Sequence, residues 1–276
     1  MSRSAWKRAA VVLAAVAVVT GLAGCQEGDG GTEKGAAASA TAQPGAQATQ
    51  SPEAAAKAVR AAYAKVSAAK SAEVEMRLNV DSEKAPGGST FTGVQSWGPQ
   101  AADLKIYDSS YLADIPGAPV ETRVLTVGGA TYVDLGADLV AQTGGKRWLK
   151  VDAEGAAGDE LSLQLTGGLA AVNTDLPKEL GLLAGSSAVK HLGPGTRGGF
   201  KGAQGYEGEL PDGKFVQVWI GADGYPLQTV VHAEAGGVST SLTTKYSGYG
   251  AKAAAQAPPA EDTVGFPDLL KRLGQA

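Results

Sequence analysis

Glu73-Val74-Glu75-Met76-Arg77-Leu78-Asn79-Val80 puts an apolar side chain at every even position and a polar one at every odd position. A period of two is the mark of a strand with one face in a core and the other in water. The residues before it read differently. Ser51-Pro52-Glu53 supplies a capping hydroxyl, a proline at the first helical position and an acid in the first turn. Ala55, Val59, Ala62, Tyr63 and Val66 then share one face of a helix running to about residue 70. Downstream, strands are predicted near 89–97, 101–108, 120–127, 130–135 and 146–151, with Gly128-Gly129 as a tight hairpin turn.

A helical interlude follows. Leu161, Leu165 and Leu169 fall on one stretch, and Asp175-Leu176-Pro177 opens a second helix carrying Leu180 and Leu183. Strands resume near 187–192, 203–210, 213–220, 226–234 and 238–247, with Ala222-Asp223-Gly224 as a turn. Pro258-Pro259 ends the pattern, and Phe266, Leu269, Leu270 and Leu273 suggest a short closing helix. Runs of strands joined by hairpins, with the helices set apart, predict an α+β fold. It consists of one large antiparallel sheet of about eleven strands with helices on one face. There is no sequence repeat and no second linker, so 52–276 is expected to be a single domain.

The other end of the chain is unlike this. Residues 26–51 contain no Val, Ile, Leu or aromatic side chain, and such a segment cannot bury enough apolar surface to offset its ordering entropy. It is expected to be a tether. Before it, Arg3, Lys7 and Arg8 precede sixteen mostly apolar residues, 9–24, that end in small ones. That is the pattern of an export signal. The run is short for a membrane span, which needs roughly 20 apolar residues. Leu22-Ala23-Gly24-Cys25 matches the bacterial lipobox at every position, and Cys25 is the only cysteine in 276 residues. The lipobox implies a diacylglyceryl group on the Cys25 sulfur and cleavage just before it. The expected division is therefore a signal peptide at 1–24, a lipidated cysteine and tether at 25–51, and the domain at 52–276. The expected location is the extracytoplasmic face of the cell membrane, held there by the lipid anchor.

Composition excludes several classes. A formal net charge of −4, more acidic still without the basic leader, is not a nucleic-acid binder's footprint. With no second thiol the fold must stand without disulfides. His191 and His232 are the only histidines, which excludes multi-histidine zinc sites, and no metal or other cofactor is expected. Gly193-Pro194-Gly195-Thr196-Arg197-Gly198 fits GxGxxG but leads into a strand pattern, not into the helix that a pyrophosphate site needs. Ser67-Ala68-Ala69-Lys70 fits SxxK, yet no Lys-Thr-Gly strand accompanies it, and the end of an amphipathic helix explains those residues. No nucleophile–base set is visible, so the chain is not expected to be an enzyme. A two-lobed solute-binding protein would need βαβ units, and this chain reads as strands in series.

The lipobox at 22–25, the Ala-rich helix before the Glu73–Val80 strand and the mid-chain Leu-rich helices occur in an order that resembles actinobacterial lipoproteins of the LppX/LprG type. Two later segments add to the likeness: Gln217-Val218-Trp219-Ile220-Gly221-Ala222-Asp223-Gly224-Tyr225-Pro226-Leu227, and Lys245-Tyr246-Ser247-Gly248-Tyr249-Gly250 followed by Ala257-Pro258-Pro259. The turn at Ala222 carries fewer acids than that family's form. The resemblance implies the half-barrel fold of the LolA and LolB carriers, and a lipid or glycolipid held in an apolar cavity between sheet and helices. The side chains that would wall such a cavity are Val74, Met76, Leu78, Val80, Leu104, Ile106, Val133, Leu135, Val216, Val218 and Ile220. The alternative is that they pack against the Leu-rich helices in a filled core, leaving a tethered module that meets a protein partner through its surface.

Overall fold

In the computed structural model, the residues described are 50–81, 86–113, 117–151, 174–195, 200–235 and 237–273. The leader, Cys25, the tether up to residue 49 and the leucines at 161, 165 and 169 lie outside them. The alternating stretch sits inside β1 (Ser71–Asp81), whose even side chains are buried and odd ones exposed up to Asn79. From β1 the chain meanders through β2 (Gly87–Trp97), β3 (Gln100–Tyr107), β4 (Thr122–Val127), β5 (Ala130–Asp134) and β6 (Trp148–Val151). A second meander runs through β7 (Lys190–Pro194), β8 (Gln204–Glu209), β9 (Phe215–Ile220), β10 (Pro226–Ala235) and β11 (Val238–Ser247). β11 returns to pair antiparallel with β1, with Met76 opposite Thr244 and Leu78 opposite Leu242. With a last strand, β12 (Thr263–Gly265), this joins both meanders into one sheet of order β12-β6-β5-β4-β3-β2-β1-β11-β10-β9-β8-β7.

Among the described residues the sheet has twelve strands, where the sequence suggests about eleven. The extra one is β12 (Thr263–Gly265), parallel to β6 and too short to show a period of its own. The predicted strands all form. Two short helices escape the sequence reading: α2 (Ser110–Ala113) and α3 (Gly136–Gln142), the latter preceded by Leu135, which has no capping side chain. The chain between β11 and β12 crosses the sheet as a strap. Gly250 N–H donates to Ser71 O at its start, and Lys146 holds the Glu261 carbonyl at its end.

The first helix, α1 (Pro52–Ala69), forms for the reasons its sequence states. Ser51 Oγ accepts from Ala54 N–H at 3.3 Å, Pro52 opens the helix, and Lys70 closes it in the left-handed conformation at φ 65°. Its last carbonyls are taken up by β2: Trp97 Nε1 donates to Val66 O and Trp97 N–H to Lys70 O, both at 2.9 Å. The second long helix, α4 (Leu176–Gly185), is capped by the Asp175 carboxylate, which accepts from Lys178 N–H at 3.0 Å. α1 and α4 pack on each other and reach β7 and β8, while α5 (Phe266–Leu273) packs on β6 and β12 at the far edge. All lie on the face carrying the even residues of β1, called the helix face here. Ala55, Val59 and Val66 of α1 and Leu180 and Leu183 of α4 are fully buried in one core with Met76, Phe91 and Val218.

Two glycines let these layers meet. A Cβ on Gly208 would stand 2.7 Å from Leu183 Cδ1, so its absence lets α4 settle on β8. A Cβ on Gly93 would stand 2.1 Å from the Asp103 carbonyl oxygen, on the backbone of the neighbouring strand. Gly93→Ala must therefore push β2 from β3 in mid-sheet, where neither can yield without losing pairs. Its expected cost is about 2–3 kcal/mol, the scale of an overpacked core. Gly185→Ala, where a Cβ meets nothing within 4 Å, serves as the neutral control. Urea denaturation of the two variants checks this; equal midpoints would show that β2 and β3 have room to spare.

Candidate functional site

Strand register decides which of the predicted wall residues meet. Val264, Leu149, Val133, Val124, Leu104, Gly93, Val74 and Tyr246 stand directly opposite one another from β12 to β11. This apolar row crosses eight strands on the helix face and spans roughly 34 Å at about 4.8 Å per strand. Every side chain in it is buried. Below it, Met76, Phe91 and Ile106 are aligned, and so are Leu78, Leu242, Val231 and Val216. Val218 faces Tyr206 on one side and Thr229 on the other, and Ile220 lies opposite Pro226 near a bulge.

The expected wall set thus lies on one face, all of it in or against the same core. Val80 is the half-buried member, at the end of β1, and Leu135 belongs to no strand but to the turn before α3. Sequence reasoning omits Val124, Phe91, Leu149 and Val264. Phe91 sits in Ser89-Thr90-Phe91-Thr92-Gly93, where alternation is weak, and Val264 lies on the strand too short to read.

The helix face is not wholly apolar. Gln95, Ala102, Thr126 and Thr131 form the next aligned row beyond Gly93 and Leu104, and all four are buried. Under α4 stands Glu179, 8 % exposed. Burial is the main cause that pushes its carboxyl up to about 7; Asp175 and Asp212 add to this, while Lys214 and Lys178 oppose it. Tyr246, whose hydroxyl lies 3.1 Å from Thr229 Oγ1, is pushed above the ordinary phenol range, first by burial and next by the Glu179 carboxylate.

Two late segments singled out in the sequence converge beside this. Tyr225 stacks on Tyr249 at 4.4 Å between centroids, Trp97 meets Tyr249 edge-on at 6.4 Å, and Tyr249 OH donates to Pro226 O at 2.8 Å. They knit the β9–β10 turn and the end of β11 to β2.

The opposite face is polar. Arg123 donates to both carboxylate oxygens of Asp103 at 2.8 and 2.7 Å, and two nitrogens of Arg147 donate to the one oxygen Asp134 Oδ2 at 3.0 and 2.7 Å. Lys105 stands directly across from Arg123, and Glu121 and Asp103 offset that repulsion. A hollow of about 1110 Å³ lies among these pairs and extends to Lys252 and Asp262 of the strap. A smaller one of about 520 Å³ shares Thr92, Gly93 and Val94 with it. Leu125, Ala130, Tyr132 and Trp148 make a second, small core on this face, covered by Ala255 of the strap.

The motifs set aside on sequence grounds have structural roles. His191 takes a hydrogen bond from Gln50 N–H on Nδ1 at 3.3 Å, lies 2.9 Å from Gln204 Oε1 through Nε2, and packs on Tyr206, fixing the start of the domain. His232 lies exposed on β10. Lys70 is the α1 cap, and Gly193 belongs to β7, which leads by way of residues 196–199, outside the described set, into β8. Among the described residues no group of three His, Cys, Asp or Glu side chains could hold a metal, and no helix is long and apolar enough to cross a membrane.

Glu179 gives the site a pH dependence. Its carboxyl keeps a proton in the folded protein up to about 7, whereas the unfolded chain releases it near 4.5. Stability should therefore fall as pH rises through that window and level off above it. The gap corresponds to roughly 3 kcal/mol at full ionisation. Glu179→Gln should flatten this dependence and be the more stable protein at pH 8, as read from denaturation midpoints at pH 5 and pH 8. Parallel pH profiles for variant and wild type would refute it.

No family model matches the chain, and no curated protein matches it. Among solved structures it is similar to LprF from Mycobacterium bovis, at 15% identity and TM-score 0.44, over 77% of this chain and 100% of that one. It is similar to the Mycobacterium tuberculosis lipoprotein LppX at 15% identity and TM-score 0.39, over 71% and 96%. A putative outer membrane lipoprotein-sorting protein domain from Vibrio parahaemolyticus follows at 12% identity and TM-score 0.29, over 80% and 100%.

Proposed function

We propose that the chain is a membrane-anchored lipoprotein of the cell envelope, tethered through Cys25, that binds a lipid or other amphiphile on the helix face of its sheet. The observation that supports this is the apolar row from Val264 to Tyr246. At roughly 34 Å it exceeds the roughly 15 Å that one leaflet contributes to a bilayer's hydrocarbon core. Burying a sixteen-carbon chain there would supply about 12 kcal/mol gross, reduced by the costs of ordering and association. Without ligand, an open apolar cavity would cost about 24 cal/mol per Å³. The closed packing of Met76, Leu104 and Val218 is then the rest state, and admission of an amphiphile requires a covering element to give way. α4 is suited to that: it is one short helix on a glycine strand, with an ionisable carboxyl beneath it.

Native mass spectrometry of the chain purified under mild conditions, followed by solvent extraction, tests the reading. A discrete adduct that releases a long-chain amphiphile is the expected result. A mass that stays bare after exposure to lipids would overturn it and favour the second reading, a tethered interaction module. That reading draws on the opposite face, where charged pairs and the strap border the open 1110 Å³ hollow. The anchor is tested separately. Cys25→Ala should move the protein from the membrane to the aqueous fraction, because one or more acyl chains are all that holds it there; unchanged tight sedimentation with membranes would refute the anchor.

A further inference from the structure

Among the described residues, three buried hydroxyls have no hydrogen-bond partner: Ser67 Oγ, Thr126 Oγ1 and Thr174 Oγ1. They come from separate elements, each linked by pairing or a hydrogen bond to the stretch of β2 from Gln95 to Trp97. Thr126 is two strands away in the same register row, through Ala102, or roughly 10 Å. Thr174 stands just before the α4 cap, and Gln95 Nε2 donates to its carbonyl at 2.7 Å. Ser67 follows Val66, whose carbonyl is held by Trp97, two residues from Gln95 on the same face of β2. Buried polar groups in folded proteins are nearly always paired, and each hydroxyl left without a partner costs on the order of 1–3 kcal/mol. Three such costs on elements tied to one stretch of β2 single out this end of the helix face.

We propose that these hydroxyls hold the uncharged polar end of the amphiphile, an inference that rests on the amphiphile-binding reading above. A hydroxyl donates one hydrogen bond and accepts others, so Ser67, Thr126 and Thr174 suit ester carbonyls and alcohols. Gln95, Ser67, Thr126 and Thr174 carry no charge and could not offset the desolvation of an ionised headgroup. The polar row adjoins the apolar row at Gly93, Leu104 and Val124, so a ligand anchored at the hydroxyls would lay its chain along that wall. The class of ligand is thus a neutral acyl ester or long-chain alcohol.

The test compares a monoacylglycerol with the fatty acid of the same chain length, at a pH where the acid is ionised. The proteins are the full-length chain and its Thr126→Val and Thr174→Val variants. Wild type is expected to bind the monoacylglycerol at least tenfold more tightly. Each variant should lose about five- to tenfold of that affinity, the worth of one hydrogen bond, and keep its affinity for the acid. Each should also melt at a higher temperature than wild type when ligand-free, because it removes an unsatisfied group without changing shape. A purely structural hydroxyl would give the opposite melting shift. If both amphiphiles bind equally and the variants change nothing, the hydroxyls hold only water and this inference fails alone. If neither amphiphile binds, the function proposed above fails and takes this inference with it.

Discussion

The pairing of β1 with β11 is the constraint on which the rest of the molecule depends. It joins residues as far apart as Glu75 and Lys245, whose side chains meet at 2.9 Å across 170 positions. Each meander alone is a set of local hairpins with one apolar face and little to cover it. Once β11 lies against β1, Tyr246, Thr244 and Leu242 continue the even-numbered face of β1 into the second meander. Only then do Leu180 and Leu183 of α4 share a core with Met76 and Phe91. Closing so long a loop costs entropy before any contact repays it, so this seam should form late in folding. It also fixes register: a slip by one residue would turn Met76 and Leu78 to water.

From that seam the two faces take different work. The helix face gathers branched aliphatics into rows and is sealed by α1 and α4 near one edge and α5 at the other. The opposite face carries cross-strand charge pairs, which are partly exposed and worth little to stability singly. An apolar patch on it, around Tyr132 and Trp148, is packed against by Ala255 of the strap. The strap therefore does on the polar face what the helices do on the apolar one, and it delivers β12 to the free edge of β6, where unpaired backbone groups would otherwise remain.

Much of this was legible in the sequence, and the reasons are local. Period two in Glu73–Val80 and the cap Ser51-Pro52-Glu53 depend on neighbours a few residues away, so β1 and α1 read correctly. The wall residues were legible as sets within each strand. Their joining was not, because the alignment of Val133 with Val124, Leu104 and Val74 is a property of pairing. For the same reason Val124 and Leu149, as apolar as the rest, drew no attention. β12 is three residues long, and no periodicity exists on that scale. Nothing in the sequence marks Glu179; its burial comes from where α4 lands. The three hydroxyls were invisible for the deepest reason, since a serine or threonine signals no missing partner until the fold shows what surrounds it. Cys25 is the converse case: legible from its motif alone and outside the residues the structure describes.

The polar groups on the apolar face differ in how they bear their burial. Glu179 resolves it by keeping a proton, so its cost varies with pH and disappears below the carboxylate range. A hydroxyl has no such escape. Its hydrogen-bonding capacity is lost on burial at every pH, and the loss persists until a partner arrives. A ligand that supplies the partner therefore gains more than it would from a solvated hydroxyl, because no bond to water is given up in exchange. That gain is greatest for a group that is itself weakly hydrated, such as an ester carbonyl, and smallest for an ion. Selectivity for an uncharged polar end follows from leaving the hydroxyls short, at the expense of stability in the ligand-free protein. Departures of this kind from local rules are where functional sites are found.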